Sequence, residues 1–306
     1  MSEKTPVLIL GSGAMALLFG AYLGAAGYPV TLLGSWREGI EAVRERGIRL
    51  WSQDVCREIP VQAVTEPEAV GKIRLALVLV KSWQTERAAR TLSACLHPQG
   101  LAVTLQNGLG NRETLERVLG KARVVQGVTT YGATLLGAGE VRLGGTGKIF
   151  LPRDQRLAPL RQALQAAGLE MEESDELEGI IWGKLVINSA INPLTALLNI
   201  PNGELLRRPT ARALMGAIAD ETASVARAKG IVLPFRDVRA MVEEVAGRTG
   251  ENLSSMLQDV RRGAPTEIDA ICGAIYRQAR ALGLDAALNW CMWQAVQALN
   301  RSPQAE

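Results

Sequence analysis

The chain has 306 residues, 34 basic and 31 acidic side chains, a formal net charge of +3 and 47% hydrophobic residues. That length and composition suit a globular protein with a large core and two domains rather than a disordered chain, and the balanced charge gives no reason to expect nucleic acid or a membrane surface as partner. A single histidine, His97, placed in a loop by "ACLHPQG", and four cysteines without C-x-x-C or zinc spacing argue against a catalytic triad, a metal site and a disulfide framework, and the cysteines read as reduced thiols of a cytoplasmic protein.

The uncharged run from Thr5 to Trp36 has the look of a signal peptide or a membrane span, but Gly11, Gly13, Gly20, Gly24 and Gly27 interrupt it. It reads instead as a buried strand "PVLIL", a glycine turn and helix "GSGAMALLFGAYLGAAG", and a second strand "PVTLL", a βαβ unit. "REGIEAVRERG" follows as a polar helix and "IRLWSQDVCREIPVQAV" as a hairpin. "IRLALVLVK" and "GLAVTLQNG" are buried strands, with "QTERAARTLSACL" and "RETLERVLG" as helices. "ARVVQGVTTYGA" is a further strand, and "EVRLGGTGKIFL" suggests antiparallel additions at one sheet edge. "LAPLRQALQAAG" is a helix and "LEMEES" a short last strand. Beyond about residue 175 strand candidates disappear, and "ALMGAIADETASVARAKG", "VRAMVEEVAG" and "EIDAICGAIYRQARALG" show apolar residues three and four apart. The expectation is a doubly wound α/β domain over 1–175 and an all-helical domain over 176–306. Trp290, Met292 and Trp293 in the last helix are expected in its core.

Gly11-x-Gly13-x-x-Ala16, directly after a strand and opening a helix, is a dinucleotide-binding turn: glycines let the backbone approach a pyrophosphate, and the helix N-terminus offers unpaired N–H groups. The candidate phosphate cradle is Gly11, Ser12, Gly13, Ala14, Met15 and Ala16. An NAD enzyme usually has Asp or Glu at the end of the second strand; Gly34 and Ser35 stand there instead, with Arg37 beyond, which favours a 2′-phosphate and hence NADPH. Lys81 and Asn107 follow two further strands, where open parallel sheets bind ligands.

The stretch "IIWGKLVINSAINPLTALLNI" places Lys184, Asn188 and Asn192 four apart, on one face of a helix that is otherwise apolar. A charge on such a face needs a partner, a ligand or water. Snorkelling of Lys184 with asparagine hydrogen bonds between helices is one explanation; a substrate site at the domain junction is the other. A partly desolvated lysine beside a reduced nicotinamide can protonate the oxygen of a carbonyl that receives hydride. Pro193 is expected to bend or break the helix. Ser254 and Ser255 precede a helical run, where capping and carboxylate binding are both open, and Glu267 near a helix start reads as structural from sequence physics alone.

Taken together, "GSGAMA", "KSWQT", "LQNGLGN", "WGKLVINSAINPLTAL", "PNGEL" and "SSMLQDVRRGAPTEID" resemble the ketopantoate reductase family, from the first strand to at least Asp269. The resemblance implies a Rossmann domain with a helical C-terminal domain, often assembled as a dimer. It implies NADPH-dependent reduction of 2-dehydropantoate to pantoate on the route to coenzyme A. By position, Lys184 is similar to the family's catalytic acid, and Asn188, Asn192 and Asn202 to its substrate-holding amides. Ser255 is similar to the serine on the substrate carboxylate. Lys81, Asn107 and Glu267 match residues that contact cofactor or organise the site, Asn107 on the substrate side as well. A reductase of another 2-oxo acid, a β-hydroxyacid dehydrogenase, which also sets Lys and Asn four apart on a helix, and a non-catalytic NADP(H) sensor are the competing readings.

Overall fold

In the first strand, β1 (Val7–Leu10), all four side chains are buried. Val7 and Ile9 enter one apolar cluster and Leu8 and Leu10 another, because successive strand side chains point to opposite faces and both faces here are covered. The computed structural model describes residues 4–299. After β1 the chain forms α1 (Ala14–Ala25), β2 (Val30–Leu33), α2 (Arg37–Arg46), β3 (Ile48–Ser52), β4 (Val55–Ile59), β5 (Gln62–Val64), β6 (Ile73–Val78), α3 (Thr85–Cys95), β7 (Leu96–Thr104), α4 (Asn111–Leu119) and β8 (Val124–Gln126). Strands β5, β2, β1, β6, β7 and β8 lie side by side in that order and every pairing is parallel. This is the Rossmann strand order, which reverses between β1 and β6. Leu17, Leu18 and Leu23 of α1 cover one face, and Ala89 and Leu92 of α3 with Leu115 of α4 cover the other.

The strands that follow are β9 (Val128–Thr129), β10 (Gly132–Gly137), β11 (Glu140–Gly145), β12 (Ile149–Leu151) and, after α5 (Ala158–Ala166), β13 (Met171–Glu173). They do not extend the edge of the main sheet. Instead β10 and β11 join the hairpin of β3 and β4 in a four-stranded sheet, and β13, β12 and β9 make a three-stranded one. Glu140 explains part of this: it accepts hydrogen bonds from Arg49 and Trp51 and so ties β11 to β3. Gly127, where a Cβ would lie 2.7 Å from Leu105 and Leu151, is the point where β8 and β9 part company. His97 is not in a loop. It lies near the start of β7, and its carbonyl accepts from Arg123 at 2.8 Å.

The rest is helical: α6 (Leu177–Leu198), α7 (Glu204–Arg207), α8 (Pro209–Ala228), α9 (Val238–Arg248), α10 (Ser255–Arg261), a π-helical turn (Asp269–Gly273) continuing as α11 (Ala274–Ala281), and α12 (Ala287–Leu299). α6 is long and apolar enough to cross a membrane, but most of it is buried in the core of these helices, around Trp182, Val186, Ala190 and Leu194. Gly179 and Gly183 let residues 232–235 lie directly on it; a Cβ on Gly179 would come within 2.3 Å of the Val232 carbonyl. Pro193 does not break α6. The carbonyl of Ser189, which a proline cannot serve, accepts a long, weak bond from the Cys272 thiol at 3.9 Å. In α12, Met292 is buried but Trp290 is 44% exposed, so only part of the expected apolar face enters the core. Glu221 of α8 caps the helix, accepting from the backbone N–H groups of Leu288 and Asn289 at 3.0 and 2.7 Å.

The described chain falls into two compact units. One holds the chain up to Gln106 together with Asn111–Leu177; the other holds Asn107–Gly110 and the chain from Glu178 onward.

Candidate active site

In the first unit, the turn between β1 and α1 has the geometry a pyrophosphate requires. Gly11 has φ +127°, and a Cβ there would sit 3.1 Å from the Leu79 carbonyl, so only glycine fits. Gly13 is the N-cap of α1 and is exposed; a Cβ on it would meet nothing within 4 Å, which leaves its face open to a ligand. Ala16 is fully buried against Gly11, allowing close packing of helix on strand. Ser12 is buried, Ala14 and Met15 are partly exposed, and no acidic residue occupies the first turn of α1 to offset its positive end. Arg37, the first residue of α2, is exposed, and Lys81 opens the 3₁₀ turn after β6. These residues fit a dinucleotide.

In the second unit, α6 carries Lys184, Asn188 and Asn192 on successive turns. Lys184 and Asn188 are partly buried and Asn192 is buried. Desolvation pulls the Lys184 ammonium from 10.5 down to about 8, with the nearby Glu267 carboxylate opposing the fall. Lys184 keeps some accessible surface, so its surroundings exclude enough water to ease loss of the proton without sealing the group away.

Glu267 is buried and accepts a hydrogen bond from the Asn107 amide at 3.2 Å. The two are 160 residues apart in sequence. Asn107, expected at a strand end of the sheet, thus belongs with the helices: Leu109 donates its N–H to the Ala270 carbonyl at 2.8 Å, and Gly108 lies against Ala270. At the other end of the stripe, one turn beyond Asn192, Thr195 donates to Ser254 Oγ at 2.7 Å, which sets the start of α10 beside α6. Ser254 is the cap, accepting from the Leu257 N–H at 3.1 Å; Ser255 is the first helical residue and is exposed. Asn202, just beyond α6, is held by the chain that precedes α10. Its backbone N–H donates to the Asn252 carbonyl and its side-chain amide to Thr249, a staple between two loops, and its buried Oδ1 has no partner among the described residues.

Thr195 and Gly108 lie within recognisable stretches, but no local signal marks their roles. A mid-helix threonine is ordinarily a poor helix former, and Asn-Gly is a common turn; their roles appear only when the partners from residues 254 and 270 are present.

Residues 7–155 match the family described as ketopantoate reductase PanE/ApbA, and residues 176–300 match its C-terminal domain. The chain is 36% identical to the 2-dehydropantoate 2-reductase of Archaeoglobus fulgidus over 288 residues, covering 92% of this chain and 94% of that protein. It is 32% identical to the Pyrococcus horikoshii 2-dehydropantoate 2-reductase, covering 95% and 96%. Among solved structures, the PanE/ApbA family ketopantoate reductase from Ralstonia eutropha superposes with a TM-score of 0.90 at 33% identity, covering 97% of this chain and 98% of that one. D-mandelate dehydrogenase with NADH and anilino(oxo)acetate superposes with a TM-score of 0.91 at 27% identity and the same coverage. With both halves matched and relatives of this similarity aligned over almost the whole length, the chain belongs to the ketopantoate reductase family.

Proposed function

We propose that the protein is an NADPH-dependent 2-dehydropantoate 2-reductase, working in the cytoplasm on the route to pantothenate and coenzyme A. The reading rests on one observation above all: an ammonium group whose pKa is brought down to about 8, sharing a helix face with two neutral amides and facing a buried carboxylate. When bound, the nicotinamide supplies hydride to the C2 ketone. Lys184 gives its proton to the ketone oxygen, which becomes the hydroxyl of pantoate. A pKa near the working pH lets the ammonium be protonated before the transfer and release the proton during it. Asn188 and Asn192 hold the substrate's oxygens without adding a charge that would compete for its carboxylate, and the Ser255 hydroxyl is offered to that carboxylate. The open turn at Gly13 receives the pyrophosphate. Arg37, with no acid at Gly34 or Ser35, favours the 2′-phosphate of NADPH over NADH. The homodimer that goes with this reading rests on the family resemblance.

The test is a panel of acids followed by NADPH absorbance: 2-dehydropantoate, other branched 2-oxo acids and 3-hydroxy acids. The proposal expects the highest kcat/KM for 2-dehydropantoate, and a clear preference for a different acid would sink it. The likeness to D-mandelate dehydrogenase supports a second reading, a reductase of aromatic 2-oxo acids working with NADH. An aromatic 2-oxo acid with each cofactor therefore belongs in the panel.

A further inference from the structure

Three parts of the candidate site meet at one irregular turn. At Asp269–Gly273 the hydrogen bonding slips by one residue, so that the Gly273 N–H donates to the Ile268 carbonyl at 3.1 Å. Such slips release carbonyls from the helical ladder, and they gather at functional sites. The Ala270 carbonyl of this turn accepts the Leu109 N–H at 2.8 Å. Gly108, at φ +81°, packs so tightly here that a Cβ would lie 2.4 Å from the Ala270 oxygen. The seam therefore admits glycine alone, and the loop it docks carries Asn107, whose amide holds Glu267 at 3.2 Å. The same turn also reaches α6: the Cys272 thiol meets the Ser189 carbonyl, next to Asn188, that Pro193 leaves without its helical donor.

We propose that this π-helical turn is the positioning element of the active site, docking the 107–110 loop so that Asn107 and Glu267 are held toward Lys184, and anchoring α6 through Cys272. In a straight α-helix the Ala270 carbonyl would lie along its own ladder and offer the loop only its second lone pair. Gly108 and Cys272 are positioning residues; neither is assigned contact with substrate. The inference rests on Lys184 as the proton donor, but its test does not depend on turnover alone.

The experiment compares the unmodified protein with Gly108→Ala, Cys272→Ala and Cys272→Ser. Lys184 is titrated by NMR of carbon-13-labelled lysine in the ligand-free protein, and kcat, KM for NADPH and Tm are measured beside it. Glu267 is the charged group whose field acts on the Lys184 ammonium. In Gly108→Ala, Glu267 loses its hold and its opposition to the desolvation weakens, so the Lys184 midpoint moves to lower pH. kcat falls about 10- to 100-fold. Cys272→Ala and Cys272→Ser each lower kcat about 2- to 5-fold, because the shorter serine side chain does not reach the Ser189 carbonyl that the thiol meets at 3.9 Å. A folded Gly108→Ala with an unmoved Lys184 titration and the original kcat overturns the proposal. So does a Cys272→Ala variant with the original kcat and an unmoved Lys184 titration, and this second comparison decides if Gly108→Ala does not fold. If the unmodified protein reduces no 2-oxo acid, the functional reading fails, while the Lys184 titration still decides this one.

Discussion

In the proposed reaction, Lys184 ties the electrostatics of the helical unit to the rate. As a general acid it works only when protonated, and its pKa is lowered to about 8. kcat for reduction should therefore be flat near neutrality and fall as pH rises through about 8, a midpoint read from a pH–rate profile at saturating substrate. Lys184→Ala should reduce kcat by about 10²–10⁴-fold, the usual worth of a positioned acid, and the alkaline limb should vanish with it. Arg37→Ala should weaken NADPH but leave NADH nearly unchanged, measured as the ratio of the two kcat/KM values. The Lys–Asn–Asn stripe was legible in the sequence because residues four apart on a helix share a face whatever the rest of the fold does. Its partners were not. Glu267 looked like an ordinary acid of a first helical turn, and its contact with Asn107 spans 160 positions that a local pattern does not connect.

At the level of elements, the glycine turn after β1 separates structure from binding. Gly11→Ala puts a side chain at φ +127° against the Leu79 carbonyl, and should lower Tm as well as abolish cofactor binding. Gly13→Ala adds a methyl group where nothing in the protein stands within 4 Å. It should leave Tm nearly unchanged while weakening NADPH at least about tenfold, since close backbone approach to the pyrophosphate is lost; calorimetric titration and thermal melts distinguish the two variants. The cap of α12 is a different kind of contact. Glu221→Ala removes the acceptor for two backbone N–H groups and for the buried Asn289 amide, and should cost about 2–3 kcal/mol in denaturant unfolding, with kcat of the folded protein unaffected. The parallel strands and most of the helices follow from their periodicity. Pro193 does not break α6 because proline's penalty is local, whereas the helix is held by burial along most of its length and by the Cys272 contact at the freed carbonyl. The strands after residue 127 mislead because short alternating segments pair wherever partners are available, and Arg49 and Trp51 of β3 supplied them.

On the scale of the whole molecule, the glycine turn after β1 and Lys184 belong to separate units. The change of composition near residue 175 was visible as the end of strand patterning. What no pattern showed is that Asn107–Gly110, four residues in the midst of the α/β region, belong with the helices. This has a bearing on how such proteins can be recombined. A chimera that grafts the C-terminal half of one relative onto the N-terminal half of another at a single junction near residue 177 would bring two mismatched surfaces together at Ala270, since the short peptide seated there travels with the other parent. Exchange that preserves activity should need a second, four-residue transplant, and lineages that traded halves should have traded that peptide as well.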